Sequence, residues 1–281
     1  MKRIAILLLF TVILAAVSPV VSVAAPMNVY PHYLEENAAR YEAYRTANPG
    51  FQLDIVIAYV NANVDLGGYR GITQVKNPDS ISVLVNKNFI LPLDFSPGDL
   101  VSIDNGFRLR KEAAGQLSKM MADMSALGLK LHVMAGYRTV QKQSSKHSGA
   151  VSSSGLVSAD IQFARPGHSE HQTGLAVDIV QRTGIKHMTQ AMFETSAEFE
   201  WLTVNAHKYG FILRYPEEYT DIHGFIFEPW HWRYVGVSIA TAMYNDGIAM
   251  FEEYYGWHLA PGILAKTEKV RILRVPPAVI E

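Results

Sequence analysis

The 281-residue chain contains no cysteine. That absence removes disulfides, thiol nucleophiles, thiol redox chemistry and cysteine zinc sites, so any metal must be held by His, Asp or Glu. It also rules out a lipid anchor on cysteine. Excess charge of one sign is missing too: 25 Lys+Arg stand against 26 Asp+Glu, a formal net charge of −1. No basic patch argues for nucleic acid, and there is no acidic tail. Charged residues make up 18% and apolar residues 49%, a balance that suits a folded domain with a substantial core and not a disordered chain. No internal repeat is present, and no regular strand–helix–strand rhythm. A G-x-S-x-G elbow is absent around Ser169, which weighs against a serine hydrolase built on Ser169 and its neighbour His168.

One long apolar run is present, and it lies at the N-terminus. Lys2 and Arg3 precede "IAILLLFTVILAAV", and "SVAAP" follows with small residues. This is the layout of an export signal over residues 1–25, with cleavage after Ala24. Pro19 interrupts the run, which argues against the bland alternative of an uncleaved membrane anchor.

Downstream, "HYLEENAARYEAYRTANPG" has helical spacing and stops at Asn48-Pro49-Gly50, and "LDIVIAYVNANV" reads as a second helix. A short strand is expected at 81–85. Residues 111–127 carry Leu117, Met120, Met121, Met124 and Leu127 on one helical face, ended by Gly128. "LKLHVMAGYR" alternates as a half-buried strand, and "AVDIV" is a second. "QSSKHSGAVSSSGLVSAD" reads as a Ser/Gly-rich surface loop. Thr195 and Glu198 form a capping box for a helix through Tyr209, which Gly210 ends. "FILRY" and "FIFE" read as short strands, and a last helix follows with a break near Gly247. Helices and antiparallel-looking strands in this mixture imply an α+β fold.

Two stretches concentrate the chemistry. "PGHSEHQTGLAVDIV" (166–180) loads polar side chains onto a segment that then enters an apolar strand, and "GFIFEPWHWRYVG" (224–236) holds Glu228, Pro229, Trp230 and His231. Without thiols, a catalytic zinc site needs three His or carboxylate ligands and an open fourth position. His171 and Asp178 supply two candidates, with a turn at Gly174 bringing the histidine back beside the strand, and His231 supplies a third. Glu228, three residues before His231, is placed to act as a general base. Spacing alone leaves the coincidental reading open, because ten histidines occur.

"SEHQTGLAVD" and "EPWHWRYVG" resemble the two signature motifs of the VanY-type D-alanyl-D-alanine carboxypeptidases, zinc peptidases related to the LD-carboxypeptidases and D-Ala-D-Ala dipeptidases. "AGYRTVQKQ" and "YGFILRYP" extend the likeness over roughly residues 80–237. The resemblance implies an α+β fold with a small antiparallel central sheet flanked by helices, the hedgehog-like DD-peptidase fold. It implies Zn2+ as cofactor, with metal ligands His171, Asp178 and His231, base Glu228, and Arg138 against the substrate near the cleaved bond. Ser169 matches a serine that holds the terminal D-residue, and Gln143 a glutamine of the LD-type enzymes. The domain expectation is a signal peptide at 1–25, a helical lead-in at 26–75 and the zinc carboxypeptidase domain at 76–281.

The implied function is an exported zinc metallocarboxypeptidase that removes the C-terminal D-alanine from peptidoglycan stem peptides. It would act outside the membrane, on the wall or periplasmic side, with no nucleic-acid partner and membrane contact only through an uncleaved signal segment. Alternatives are L,D-cleavage of tetrapeptide stems, or a non-catalytic wall-binding module that retains the zinc fold. Oligomeric state is left open. The neighbouring residues read more blandly: Trp230 and Trp232 as buried aromatics, Glu170 as structural, His168 as a loop residue, His132 as a strand-surface residue.

Overall fold

The computed structural model describes residues 26–30, 32–182 and 190–259; the expected signal segment lies outside them. The chain opens with helices α1 (Ala38–Ala47) and α2 (Leu53–Asn61), then strand β1 (Thr73–Gln74), which pairs in parallel with β2 (Phe89–Ile90). The antiparallel pair β3 (Leu100–Ser102) and β4 (Arg108–Arg110) leads into α3 (Lys111–Ala126). Next come β5 (Leu131–Ala135), α4 (Val140–Ser154), α5 (Leu156–Gln162) and β6 (Ala176–Gln181). Two helices, α6 (Gln190–Glu194) and α7 (Ala197–Asn205), precede β7 (Phe211–Leu213). After α8 (Thr220–His223) and β8 (His231–Tyr234), the described chain closes with α9 (Val237–Asp246) and α10 (Phe251–Tyr254). This is the expected α+β architecture: β5, β6, β8 and β7 form, in that order, a four-stranded antiparallel sheet flanked by helices.

Period-two alternation gives the sheet two different faces. Val177 and Ile179 of β6 and Trp232 and Tyr234 of β8 join Leu117, Met120 and Met124 of α3 in the main core. The opposite face presents Asp178, His231 and Arg233, all buried. The sheet is therefore anchored by hydrophobic burial on one side and free to carry polar groups on the other.

The lead-in packs against the last described residues. Val56, Ile57 and Val60 of α2 enclose Trp257, and Asn61 Nδ2 donates to the Gly256 carbonyl at 3.2 Å. A Cβ at Gly256 would collide with the Ala58 backbone, so only glycine permits this contact.

Five local expectations are corrected. Residues 81–85 form no strand: Arg233 Nη2 donates to the carbonyls of Ile81 and Val83 at 3.0 and 2.7 Å, so a side chain serves acceptors that a ladder would otherwise use. "FIFE" is no strand either, because successive amides find unrelated partners, Ile226 the Ile161 carbonyl and Glu228 the Tyr215 carbonyl. Leu127 leaves the apolar face at the end of α3 and is exposed. The α7 cap is Ser196, whose hydroxyl accepts from Phe199 N, while Thr195 turns back to Ala191.

The largest correction concerns the Ser/Gly-rich segment, which is the helical hairpin α4–α5. Thr139 caps α4 by accepting from Lys142 N. Ser145, Ser148 and Ser152 each donate to the carbonyl four residues earlier, satisfying their hydroxyls within the helix. Gly155, with φ 80°, separates the two helices. Asp160 then clasps the hairpin, accepting from Arg165 Nη2 at 2.7 Å and lying 2.9 Å from His147 Nε2.

Candidate metal centre and substrate cavity

Strand register delivers two of the three ligand candidates: Asp178 and His231 are directly paired between β6 and β8, on the sheet's polar face. His171 arrives from a 3-10 turn, Glu170–Thr173, that ends at Gly174 with φ 65°. A side chain on Gly174 would press into Leu100 and Arg110 as well as strain the backbone, so glycine makes the reversal possible. The end of β5 fixes the result, with Arg138 N donating to the His171 carbonyl at 3.0 Å.

His171, Asp178 and His231 offer ligand atoms that all lie within 4.8 Å of one another. Asp178 Oδ1 is 3.4 Å from His171 Nε2 and 3.2 Å from His231 Nδ1, yet this buried oxygen forms no hydrogen bond. Each ring is anchored at its other nitrogen. His171 Nδ1 meets the Gly136 carbonyl at 2.8 Å, and His231 Nε2 meets Glu170 Oε2 at 3.4 Å. Both rings thus turn a lone pair toward Asp178, the arrangement of a His-His-carboxylate metal site with supported ligands. An orphaned carboxylate oxygen between two such nitrogens fits a zinc ion.

The two rings differ in their charge preference. Burial pushes His171 down to about 4, with Asp178 opposing. Burial also disfavours the His231 cation, but Asp178 and Glu170 outweigh it and hold that ring up to about 9. Burial would raise Asp178, yet the two histidines keep it well below the usual carboxylate range. Glu228 lies beside the trio, its Oε2 3.6 Å from His231 Nδ1, and burial raises its pKa to about 7 despite the opposing His231.

Glu170 has a larger part than a structural residue next to a ligand candidate. Its Oε1 accepts from Arg214 Nε at 2.8 Å and Arg233 Nη1 at 2.9 Å, and Arg214 also holds Glu252 at 2.6 and 2.9 Å. All four charged side chains are buried. Two arginines balance two carboxylates, which makes full burial tolerable. Arg214 is therefore interior; its neighbour Tyr215 lines the cavity. His168 is buried as well, its Nδ1 2.8 Å from the Asn86 carbonyl, whereas His132 is exposed on β5 as expected.

The trio opens into a cavity of about 550 Å³. Arg138, Gln143, Ser169, Glu228 and Trp230 all line it, so every expected site residue converges there. Trp232, the other flanking aromatic, is in the core. Gln143 is less free than a substrate contact: its Oε1 accepts from Arg138 Nη1 at 2.9 Å and its Nε2 donates to the Ala164 carbonyl at 2.6 Å. It orients Arg138. The wall also contributes Lys142, Lys146 and Phe163; Lys146 was hidden in the presumed loop, and its three-residue step from Gln143 was the available signal.

A family profile described as VanY, D-alanyl-D-alanine carboxypeptidase, matches residues 106–237. The Bacillus subtilis (strain 168) protein YodJ, whose carboxypeptidase name is provisional, is 36% identical over 230 residues, covering 79% of this chain and 82% of that one. The solved LdcB LD-carboxypeptidase is 39% identical, with TM-score 0.61 over 66% of this chain and 90% of its own. The vancomycin-resistance D,D-pentapeptidase VanY, solved as a variant with Zn(II), is 34% identical, with TM-score 0.54 over 62% of this chain and 97% of its own.

Proposed function

Because the chain belongs to the VanY family of D-alanyl-D-alanine carboxypeptidases, we propose that it is an exported, zinc-dependent D,D-carboxypeptidase that removes the terminal D-alanine of peptidoglycan stem peptides. The observation that carries this reading is the unpartnered Asp178 oxygen between His171 Nε2 and His231 Nδ1, with Glu228 beside it.

His171, Asp178 and His231 would hold the zinc ion. Bound there, zinc supplies a water of lowered pKa and polarises the scissile carbonyl. The residues do the rest. Glu228, with a pKa near 7, takes the water's proton on its carboxylate and returns it to the leaving amine of D-alanine. Arg138, oriented by Gln143, places its guanidinium against the oxygen that becomes negative during attack. Ser169 lines the cavity, and its hydroxyl has no hydrogen-bond partner among the described residues, which suits it to the terminal residue. The export signal at residues 1–25 would bring the enzyme to its wall substrate.

L,D-cleavage of tetrapeptide stems is the second reading, favoured by the similarity to the LdcB LD-carboxypeptidase. Incubating the zinc-loaded protein with pentapeptide and tetrapeptide stems and weighing the products separates the two. D-alanine release from the pentapeptide is expected, and release from the tetrapeptide alone would favour the second reading. Glu228→Gln should lower kcat by roughly 10²–10⁴-fold while zinc stays bound; parental turnover in that variant would assign the base elsewhere.

A further inference from the structure

We propose that Glu252, on α10, is a positioning residue for the metal centre: by holding both terminal nitrogens of Arg214, it keeps one oxygen of Glu170 free to support His231. This rests on the zinc reading above and adds to it a residue that touches none of the three ligands. The partner of His231 Nε2 is Glu170 Oε2, at 3.4 Å. Glu170 can serve that ring because its two oxygens do different jobs. Oε1 accepts from Arg214 Nε at 2.8 Å and from Arg233 Nη1 at 2.9 Å, and Oε2 is left to His231.

That division depends on what else the two guanidinium groups hold. Arg233 donates its Nε to the Tyr234 carbonyl and its Nη2 to those of Ile81 and Val83. Arg214 reaches no carbonyl among the described residues. Its Nη1 and Nη2 both go to Glu252, at 2.9 and 2.6 Å. Without the Glu252 charge, the Arg214 fork would keep two buried donors and face a single carboxylate, Glu170. Guanidinium groups pair with both oxygens of a carboxylate where they can, so Glu170 Oε2 would be drawn off His231. Charge points the same way. Two arginines over one carboxylate leave a surplus positive charge behind a ligand that must grip a cation, in a buried site where screening is weak.

Glu252 is itself fixed from two sides. Asn86 Nδ2 donates to its Oε1 at 3.1 Å, while Asn86 Oδ1 accepts from the backbone of Asn88 and Phe89, each at 2.9 Å. Its neighbour Phe251 is fully buried in an apolar cluster of its own, with the Arg214 and Arg233 guanidinium groups 5.8 and 5.5 Å from its ring. Just past α10, the Gly256 carbonyl and the Trp257 ring are held by α2. The lead-in thus reaches the metal centre through α10, Glu252, Arg214 and Glu170.

Zinc affinity of the full chain, measured by competition with a chromophoric chelator, tests the role. Glu252→Gln keeps the size of the side chain and one acceptor but drops the charge. It should weaken zinc binding roughly 10- to 100-fold, the usual loss when support behind a metal ligand is removed. Adding Arg214→Met removes the surplus cation and leaves Arg233 and Glu170 as a neutral pair, so most of the lost affinity should return. Packing damage would accumulate in the double variant, so recovery is a result that a merely structural role cannot produce. Glu252→Asp keeps the four charges balanced and withdraws the carboxylate by one methylene; it should weaken zinc binding several-fold.

Parental zinc affinity in Glu252→Gln, or in Glu252→Asp should the former not fold, overturns the inference. So does a double variant that binds zinc no better than Glu252→Gln. If the parent protein binds no zinc, the zinc reading fails first and this inference falls with it. If the parent binds zinc and Glu252→Gln binds it equally well, the inference alone fails.

Discussion

The floor and the wall of the cavity are built on opposite principles. The floor, strands β6 and β8, is rigid twice over: apolar side chains below it fill the main core, and a closed set of buried charges above it ties His231 through Glu170 to Arg214, Arg233 and Glu252. The wall, α4 and α5, has few buried residues and is held by a cap, a glycine and one ionic clasp. Under the proposed function, the floor would hold the groups of the chemistry and the wall groups that meet the substrate. Such a division would let specificity change without disturbing the metal site: Gln143 of α4 holds Arg138, which lies outside β6 and β8.

The sharpest way to break this contrast is to open the charge network. Glu170→Gln leaves Arg214 and Arg233 with one carboxylate, Glu252, and removes the acceptor behind His231. Uncompensated buried charge costs about 3–5 kcal/mol, and loss of support behind a metal ligand costs about 10- to 100-fold in metal affinity. Denaturant melts and zinc competition titrations should therefore both move. A variant with parental stability and zinc affinity would show that the floor does not depend on the network.

The same contrast decides what the sequence made legible. Asp178 and His231 could be read because their two motifs resemble those of the VanY-type carboxypeptidases; spacing among ten histidines left a coincidence open. Glu170 sat next to His171 in plain view, yet its partners lie 44 and 63 residues away, so burial and pairing were invisible. Residues 81–85 looked like a strand because they are apolar; Arg233, about 150 residues on, takes their carbonyls. The wall was misread for another reason. Serine usually marks turns, but in α4 serines return their hydroxyls to the helix's own carbonyls, and the Thr139 cap and Gly155 stop were the signs that should have outweighed composition. Lys146 went unnoticed with them.

A smaller effect separates function from stability within the floor itself. Burial raises the Glu228 pKa from 4.5 to about 7, so the folded protein disfavours the carboxylate that the proposed reaction needs. Below about pH 4.5 the group is protonated folded or unfolded. As pH rises through 7, the folded state must carry a charge that the unfolded state carries freely, and stability falls. In protein stripped of metal by chelation, Glu228→Gln should therefore be more stable than the parent by about 3 kcal/mol at pH 8, with the gain vanishing near pH 4. A gain independent of pH would attribute the effect to packing.

The weakest perturbation belongs to the wall. Thr139 Oγ1 accepts from Lys142 N at 3.2 Å, a long bond in an exposed turn. Its loss in Thr139→Ala should cost no more than about 1 kcal/mol, and thermal melting should barely register it. The same turn carries Gln143, which steadies Arg138, and precedes Lys146. Fraying there loosens the groups that meet the substrate and leaves Asp178 and His231 untouched on their strands. The expected outcome is a several-fold rise in KM for the stem peptide with zinc affinity unchanged. Were zinc affinity to fall in step with KM, wall and floor would be one mechanical unit, and a substitution in α4 could not alter specificity without cost to the metal centre.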